Sequence, residues 1–368
     1  MRRNLHPVGG RTNVHRRASR PGSAFPPHFG PSPANPGFPP SPASAPWGTR
    51  GAPICRTDES MRTKWCFPRF EAWAALVLVL VFLSGAAAAQ SRTFAVIADS
   101  RSEHSRLRNV LEEVRDMKNG AIADIAGIGI VIALGDIDPV SQTRTLYREV
   151  FQADAPPLLP VRGNHEKPAD VRVILEDMLP ALTPSVKLHV PGTVNYVFDW
   201  NDARFIVLDQ YSEFARNPHG SAVLEWLENA IVTAPDARHV FVCRHEPYIP
   251  DDPRNDPFWS VLLRHNEKVR AFFAGHTHVY NRRRIPDEPG GIPYVNVGNA
   301  GQRSHNDLKQ TIVAVTIGED RVSFRAVQTP TGTKAFRTTD RFQVTIPRRP
   351  EYGRQSPAEQ PREYPAID

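Results

Sequence analysis

Val161-Arg162-Gly163-Asn164-His165-Glu166 decides how the rest of the chain is read. The apolar residues 156–161 stop at a glycine, and an Asn and a His follow at once. This is the form of a loop at the carboxyl end of a buried strand. Gly permits the tight turn, and side chains with nitrogen and oxygen donors are left at the strand tip. Alone, the tripeptide is a common turn, and its weight depends on finding other strand ends of the same kind.

They occur on both sides. Towards the N-terminus, the apolar run 93–98 ends in Asp99-Ser100-Arg101, and 128–134 ends in Gly135-Asp136. Between them, 105–117 carries Leu107, Val110, Leu111 and Val114 at helical spacing, with 122–125 expected to extend that helix. Residues 141–151 read as a second helix, and 158–161 as the strand that leads into the opening motif. Strand, helix, strand, helix, strand implies crossover connections and a parallel sheet. In such sheets ligands bind outside the carboxyl ends of the strands, where Asp99, Asp136, Asn164 and His165 stand.

Towards the C-terminus, 171–178 reads as a helix. Residues 194–200 and 204–209 read as a hairpin around Asn201-Asp202, and 223–232 as a helix. The strand 239–243 ends in Arg244-His245-Glu246-Pro247. A helical stretch, 258–263, precedes the strand 269–274, which ends in Gly275-His276-Thr277-His278. A further strand, 293–297, leads to Gly298-Asn299-Ala300-Gly301; 311–317 and 322–328 form a hairpin, and 342–346 adds a last strand. No internal repeat is present. Five strand ends therefore offer carboxylate, amide and imidazole groups together, a donor set suited to a pair of first-row metal ions.

Asp99-Ser100-Arg101, Gly135-Asp136, Gly163-Asn164-His165-Glu166, His245-Glu246-Pro247 and Gly275-His276-Thr277-His278, in this order, resemble the motifs of the calcineurin-like metallophosphoesterase superfamily. The resemblance covers about 92–346. It implies an α+β (α/β) fold, a four-layer αββα sandwich, around a dinuclear centre of Mn, Fe or Zn. Carried over, Asp136 bridges two metals, Asn164, His245 and His276 complete one site, and Asp99 and His278 belong to the other. His165 ligates no metal; it stabilises the phosphate or protonates the leaving oxygen, while a metal-activated hydroxide attacks phosphorus in line.

One motif departs from the family. Its first-motif His is Arg101 here, and a guanidinium has no lone pair for a metal. In one reading the second site is weak, held by Asp99, Asp136, His278 and water, with Arg101 turned out to bind the substrate phosphate. In another, His104 supplies a substitute imidazole. In a third, a single metal binds and Arg101 partly replaces the charge of the other. Glu166 stands where the family often has Asp, either orienting a ligand or simply solvated. Arg303 is a candidate phosphate contact or a surface residue. The loops 212–220, 248–256 and 282–291 are expected to carry substrate specificity.

Composition bears on location and partners. The chain has 368 residues and a net charge of +6. Residues 1–60 hold eight Arg against Asp58 and Glu59, which accounts for the whole excess, and 12 of the 36 prolines. This segment cannot bury enough surface to order itself and is expected to be disordered, or an over-extended reading ahead of Met61. From Met61, three basic residues (Arg62, Lys64, Arg69), the apolar run 72–83 and Ala87-x-Ala89 have the order of a secretory signal peptide. The alternative is a membrane anchor, for which 12 apolar residues are short. Cleavage before Gln90 leaves a domain over 90–347 and a disordered tail over 348–368. Its near-neutral charge argues against a nucleic-acid surface, and no stable membrane anchor is expected after cleavage. Of three cysteines only Cys243 lies in the domain, so neither a disulfide framework nor a thiolate zinc site is available. The expected protein is an exported phosphoesterase acting on a small or macromolecular phosphoester, or a degenerate relative that binds metal or a phosphate ligand without turnover.

Overall fold

The computed structural model describes residues 92–346 apart from 102, 123–124, 126, 183–184, 235, 303–308 and 331–332. The segments 1–60, 61–89 and 348–368, and with them Gln90 and Arg303, lie outside the described residues. The first half of the domain follows the expected alternation: β1 Thr93–Ile97, α1 His104–Lys118, β2 Ile128–Leu134, α2 Val140–Phe151 and β3 Leu158–Val161. β1 pairs parallel with β2, and β2 with β3. The helix α3, Pro168–Val173, then runs on through a wide turn, Ile174–Met178, to Leu179–Ala181.

A second sheet follows from β4 Val186–Lys187, β5 Tyr196–Trp200, β6 Ala203–Leu208, α4 Ser221–Val232, β7 His239–Arg244, α5 Pro257–Arg264, β8 Val269–Ala274, β9 Asn281–Ile285 and β10 Ile292–Asn296. β11 Thr311–Ile317, β12 Arg321–Gln328 and β13 Arg337–Thr345 return to the first sheet. The orders are β13-β12-β11-β1-β2-β3 and β4-β5-β6-β7-β8-β10-β9.

The central strands are apolar on both faces because both faces are covered. On β7, Phe241 and Cys243 belong to the core shared with the first sheet, while Val240 and Val242 pack with Leu227, Ala230 and Ile231 of α4 and Phe258, Trp259 and Leu262 of α5. Phe94 on β1 marks the middle of the sandwich, its ring 5.0 Å from Phe205, 4.9 Å from Phe241 and 6.2 Å from Phe273, each edge-on. On the outer side of the first sheet α1 buries Leu107, Val110, Leu111, Val114 and Met117. The layers are helix, sheet, sheet, helix, the four-layer αββα arrangement.

Several expectations need correcting. The first sheet is mixed: β11 lies antiparallel to β1, and β12 and β13 continue antiparallel. The expected continuation of the helix past 121 does not occur at Ile122 or Ile125: α1 stops at Lys118, Gly120 then takes φ 73°, and Ile122 and Ile125 meet in an isolated bridge. The loop expected over 282–291 is in part the edge strand β9, antiparallel to β10. Its Asn-Arg-Arg-Arg-Ile run is polar, as exposed edge strands are, and gives no apolar signal. For the same reason β13 begins at Arg337 rather than 342 and β4 goes unannounced.

Candidate metal centre

The carboxyl ends of β1, β2 and β3 meet those of β7 and β8 at one edge of the sandwich. Four of the residues there, Asp99, Asp136, His276 and His278, hold φ of 55°, 52°, 70° and 59°. Side chains are uncommon in this left-handed region, and such strain persists where surrounding contacts impose it. The glycines make the approach possible: a Cβ on Gly163 would collide with the Asp136 carboxylate and backbone nitrogen, and one on Gly135 with His245 and Gly163.

On one side of Asp136 three donor atoms converge. His245 Nε2 lies 3.1 Å from Asn164 Oδ1 and 3.3 Å from His276 Nδ1, and His276 Nδ1 is 3.1 Å from the same Asn164 oxygen. Asp136 Oδ1 stands 3.4 Å from His245 Nε2. Ligands roughly 2.1 Å from one ion lie roughly 3 Å from one another, so this spacing is that of a first coordination sphere. The tautomer of His245 is fixed: its Nδ1 donates to the Leu134 carbonyl at 2.6 Å, which leaves the Nε2 lone pair facing the centre.

On the other side, Asp99, Asp136 and His278 each offer one ligand atom, all within 4.8 Å of one another. Asp99 Oδ1 is 3.5 Å from His278 Nε2 and otherwise has no hydrogen-bond partner, although buried. Its Oδ2 accepts the His276 amide at 2.8 Å, tying the β8 loop to β1. An orphaned, buried carboxylate oxygen beside an imidazole fits a cation.

Electrostatics point the same way. Burial, and then the neighbouring Asp136, raise the Asp99 carboxyl well above its ordinary range. Burial pushes His245 and His278 down. Buried acids crowd together beside imidazoles kept neutral, and the missing positive charge is the kind an ion supplies.

Arg101 does not face the ligand set alone. Its Nη1 donates to His165 Nε2 at 2.9 Å, and its Nε stands 3.2 Å from Asp138 Oδ1. Because a guanidinium only donates, His165 Nε2 is the acceptor in that contact. His165 also gives its backbone N–H to Asp136 Oδ1 at 3.1 Å. Asp138, two residues past Asp136, is a partner that sequence reasoning missed; the signal available was an acid beside a metal-ligand candidate. His104 does not join the centre: it lines a cleft with Arg108, Ser141, Gln142, Thr145, Leu146 and Glu149 between α1 and α2.

Glu166 is not a solvated side chain. It is 4% exposed and accepts from the backbone N–H of Ile137 at 2.6 Å, of Asp136 at 3.2 Å, and of Gly163. One carboxylate thus joins the β2 and β3 loops and holds the backbone of Asp136. Burial, with Asp136 adding to it, pushes its carboxyl up to about 7.

Residues 92–280 match the family model of the calcineurin-like phosphoesterases. No curated protein matches significantly. Among solved structures, a hypothetical protein from Thermus thermophilus is 16% identical, with 69% of this chain and 100% of that one covered and a TM-score of 0.40. Vps29 of Chaetomium thermophilum is 13% identical over 70% and 100%, TM-score 0.36. Vps29 of Entamoeba histolytica, in complex with zinc, is 11% identical over 69% and 99%, TM-score 0.35.

Proposed function

The chain belongs to the calcineurin-like phosphoesterases, and from that premise we propose that it is an exported, metal-dependent hydrolase of phosphate mono- or diesters. The observation that carries the reading is the convergence of His245 Nε2, His276 Nδ1 and Asn164 Oδ1 to 3.1–3.3 Å. These three, with Asp136, would hold one ion, and Asp99, Asp136 and His278 would hold a second, drawn from Mn, Fe or Zn. When bound, such ions supply Lewis acidity to the phosphoryl oxygens and make water a competent nucleophile near neutral pH.

The chain's own residues do the rest. Asp138 holds the Nε edge of Arg101, which leaves Nη1 directed at His165, beside the ligand set. There Arg101 binds a phosphate oxygen and stabilises charge as it builds. His165 serves the phosphate as a hydrogen-bond partner, and proton delivery from its Nε2 requires Arg101 to release that atom first. Purified protein should hydrolyse p-nitrophenyl phosphate or its bis-ester with added manganese and lose the activity in Asp136→Asn. Inertness towards both ester classes with every metal sinks the proposal.

The Arg101–His165 contact favours a second reading, a domain that binds a phosphate ligand without turnover. Retained phosphate binding with no hydrolysis would select it. Export is supported by the order of basic, apolar and small residues over 61–89. Sequencing of the mature N-terminus should return Gln90, and a chain that keeps residues 72–83 argues for an anchor instead.

A further inference from the structure

Among the described residues, several buried side chains outside the centre leave polar atoms without hydrogen-bond partners, and three of them, Arg244 and Tyr294 on the second sheet and Gln210 in the turn after β6, concern one region. Gln210, 6% exposed, has both amide atoms unpaired; Arg244, 8% exposed, its Nε; and Tyr294, 1% exposed, its hydroxyl. The Tyr211 hydroxyl and the Tyr248 backbone N–H come near Gln210 and Tyr294 without closing such bonds. Buried polar atoms are nearly always paired, so each exception asks for a cause.

Arg244 lies near Tyr294, and Gln210 follows the strand that pairs beside Arg244. Arg244 ends β7 on the face that Val240 and Val242 turn towards α4 and α5, and it is level with Leu208 on β6, two residues before Gln210. Tyr294 shares that face: its ring stacks on Phe272 at 5.5 Å, and Phe272 is level with Val242. Arg244 and Tyr294 lie within each other's electrostatic reach. The Arg244 guanidinium rests over the Tyr248 ring at 5.2 Å, a partly exposed roof. Tyr248 is fixed in turn, donating to Asp256 at 2.5 Å, meeting His219 at 2.6 Å and accepting the Trp259 indole N–H at 3.1 Å on its carbonyl.

The chemistry of the cluster is lopsided. The Arg244 N–H, the Tyr294 O–H and the Gln210 amide NH2 can donate, while the Gln210 oxygen and the Tyr294 hydroxyl oxygen are the acceptors. One fixed positive charge among donors matches an oxyanion. The cluster borders the metal centre. Arg244 directly precedes His245; Tyr211, next to Gln210, donates to Glu246 at 2.7 Å and places its ring 6.4 Å from that of His245.

We infer that Gln210, Arg244 and Tyr294 form a subsite for an oxyanion, a carboxylate or a second phosphate, borne by the same substrate molecule whose phosphoester meets the metal centre. The inference rests on the phosphoesterase reading and adds a substrate class to it: esters with a second negative group.

The test compares kcat/KM of the full chain, with metal, for phenyl phosphate, O-phosphotyrosine and a nucleoside 3′,5′-bisphosphate. At least one doubly anionic ester should exceed phenyl phosphate, and that ratio should fall about tenfold in Arg244→Met and about threefold in Tyr294→Phe. Tyr294→Phe removes one oxygen and keeps the ring, so it folds. A hydroxyl with no part in substrate binding predicts an unchanged ratio, and that result overturns the subsite. Stabilisation of the wild type by free acetate, lost in Tyr294→Phe while ester selectivity stays constant, overturns the assignment to substrate. Turnover with no preference for a second anion overturns the subsite alone, whereas failure to hydrolyse any ester overturns the phosphoesterase reading with it.

Discussion

On one side of Asp136, three donor atoms close to 3.1–3.3 Å, and the His245 imidazole among them is oriented from behind by the Leu134 carbonyl. On the other, Asp99 and His278 stand 3.5 Å apart, and where the family places an imidazole there is Arg101, turned to His165 and Asp138. Both halves use the same device, a strand end followed by a left-handed residue. They differ in what the side chain can give: an imidazole lends a lone pair, and a guanidinium adds a permanent charge that repels an ion. Backbone geometry alone therefore does not set how many ions such a centre retains.

The sharpest break is Asp136→Asn. That carboxylate belongs to both halves, and losing it should lower kcat/KM on p-nitrophenyl phosphate by roughly a thousandfold, several kcal/mol of barrier. Next come the paired variants His245→Ala and His278→Ala. The first should strip the tight ion; the second should leave it in place and weaken only the other, as metal analysis after dialysis would show. Equal losses would erase the distinction between the halves.

Glu166→Gln probes the support shared by both loops. It replaces one acceptor oxygen, among three backbone N–H groups, by a donor. Metal affinity should fall about 10–100-fold, the usual cost of removing an outer partner. The metal-free protein also carries a pH signature. With its carboxyl at about 7 when folded and 4.5 as the ordinary value, Glu166 keeps a proton in the native state that the unfolded chain releases. The stability of the wild type relative to Glu166→Gln should therefore fall as pH rises from about 4.5 to about 7, as denaturant melts at several pH values would reveal. The lowered His245 and His278 act in the opposite sense, losing stability as pH falls below 6.5, which is why the variant difference is the quantity to follow.

The smallest effect is expected from Asp138→Asn. The Arg101–Asp138 pair is partly open to solvent, and its loss should raise KM about two- to fivefold with kcat little changed.

The ligand candidates were legible because each follows an apolar run that ends at a turn, and period-two burial on both faces makes those runs continuous. Thus 158–161, 269–274 and 311–317 stand where the sequence places strands. What escaped lacks that contrast. β9 is an arginine-rich edge with little to bury, and 122–125 looks helical until Gly120 turns the chain away. The duty of Glu166 depends on backbone groups of Asp136 and Ile137, about 30 residues earlier in the chain, and no local pattern reports it. The proposed grouping of Gln210, Arg244 and Tyr294 rests on strand register, which single-residue types do not disclose.

The unequal halves can be measured directly by calorimetric titration of the metal-free full chain with manganese. The account predicts one tight ion per chain at the Asn164–His245–His276 side and a second held at least roughly tenfold more weakly, with Arg101→His tightening the second alone. Two ions of equal affinity in the wild type, or no binding at all, would contradict it.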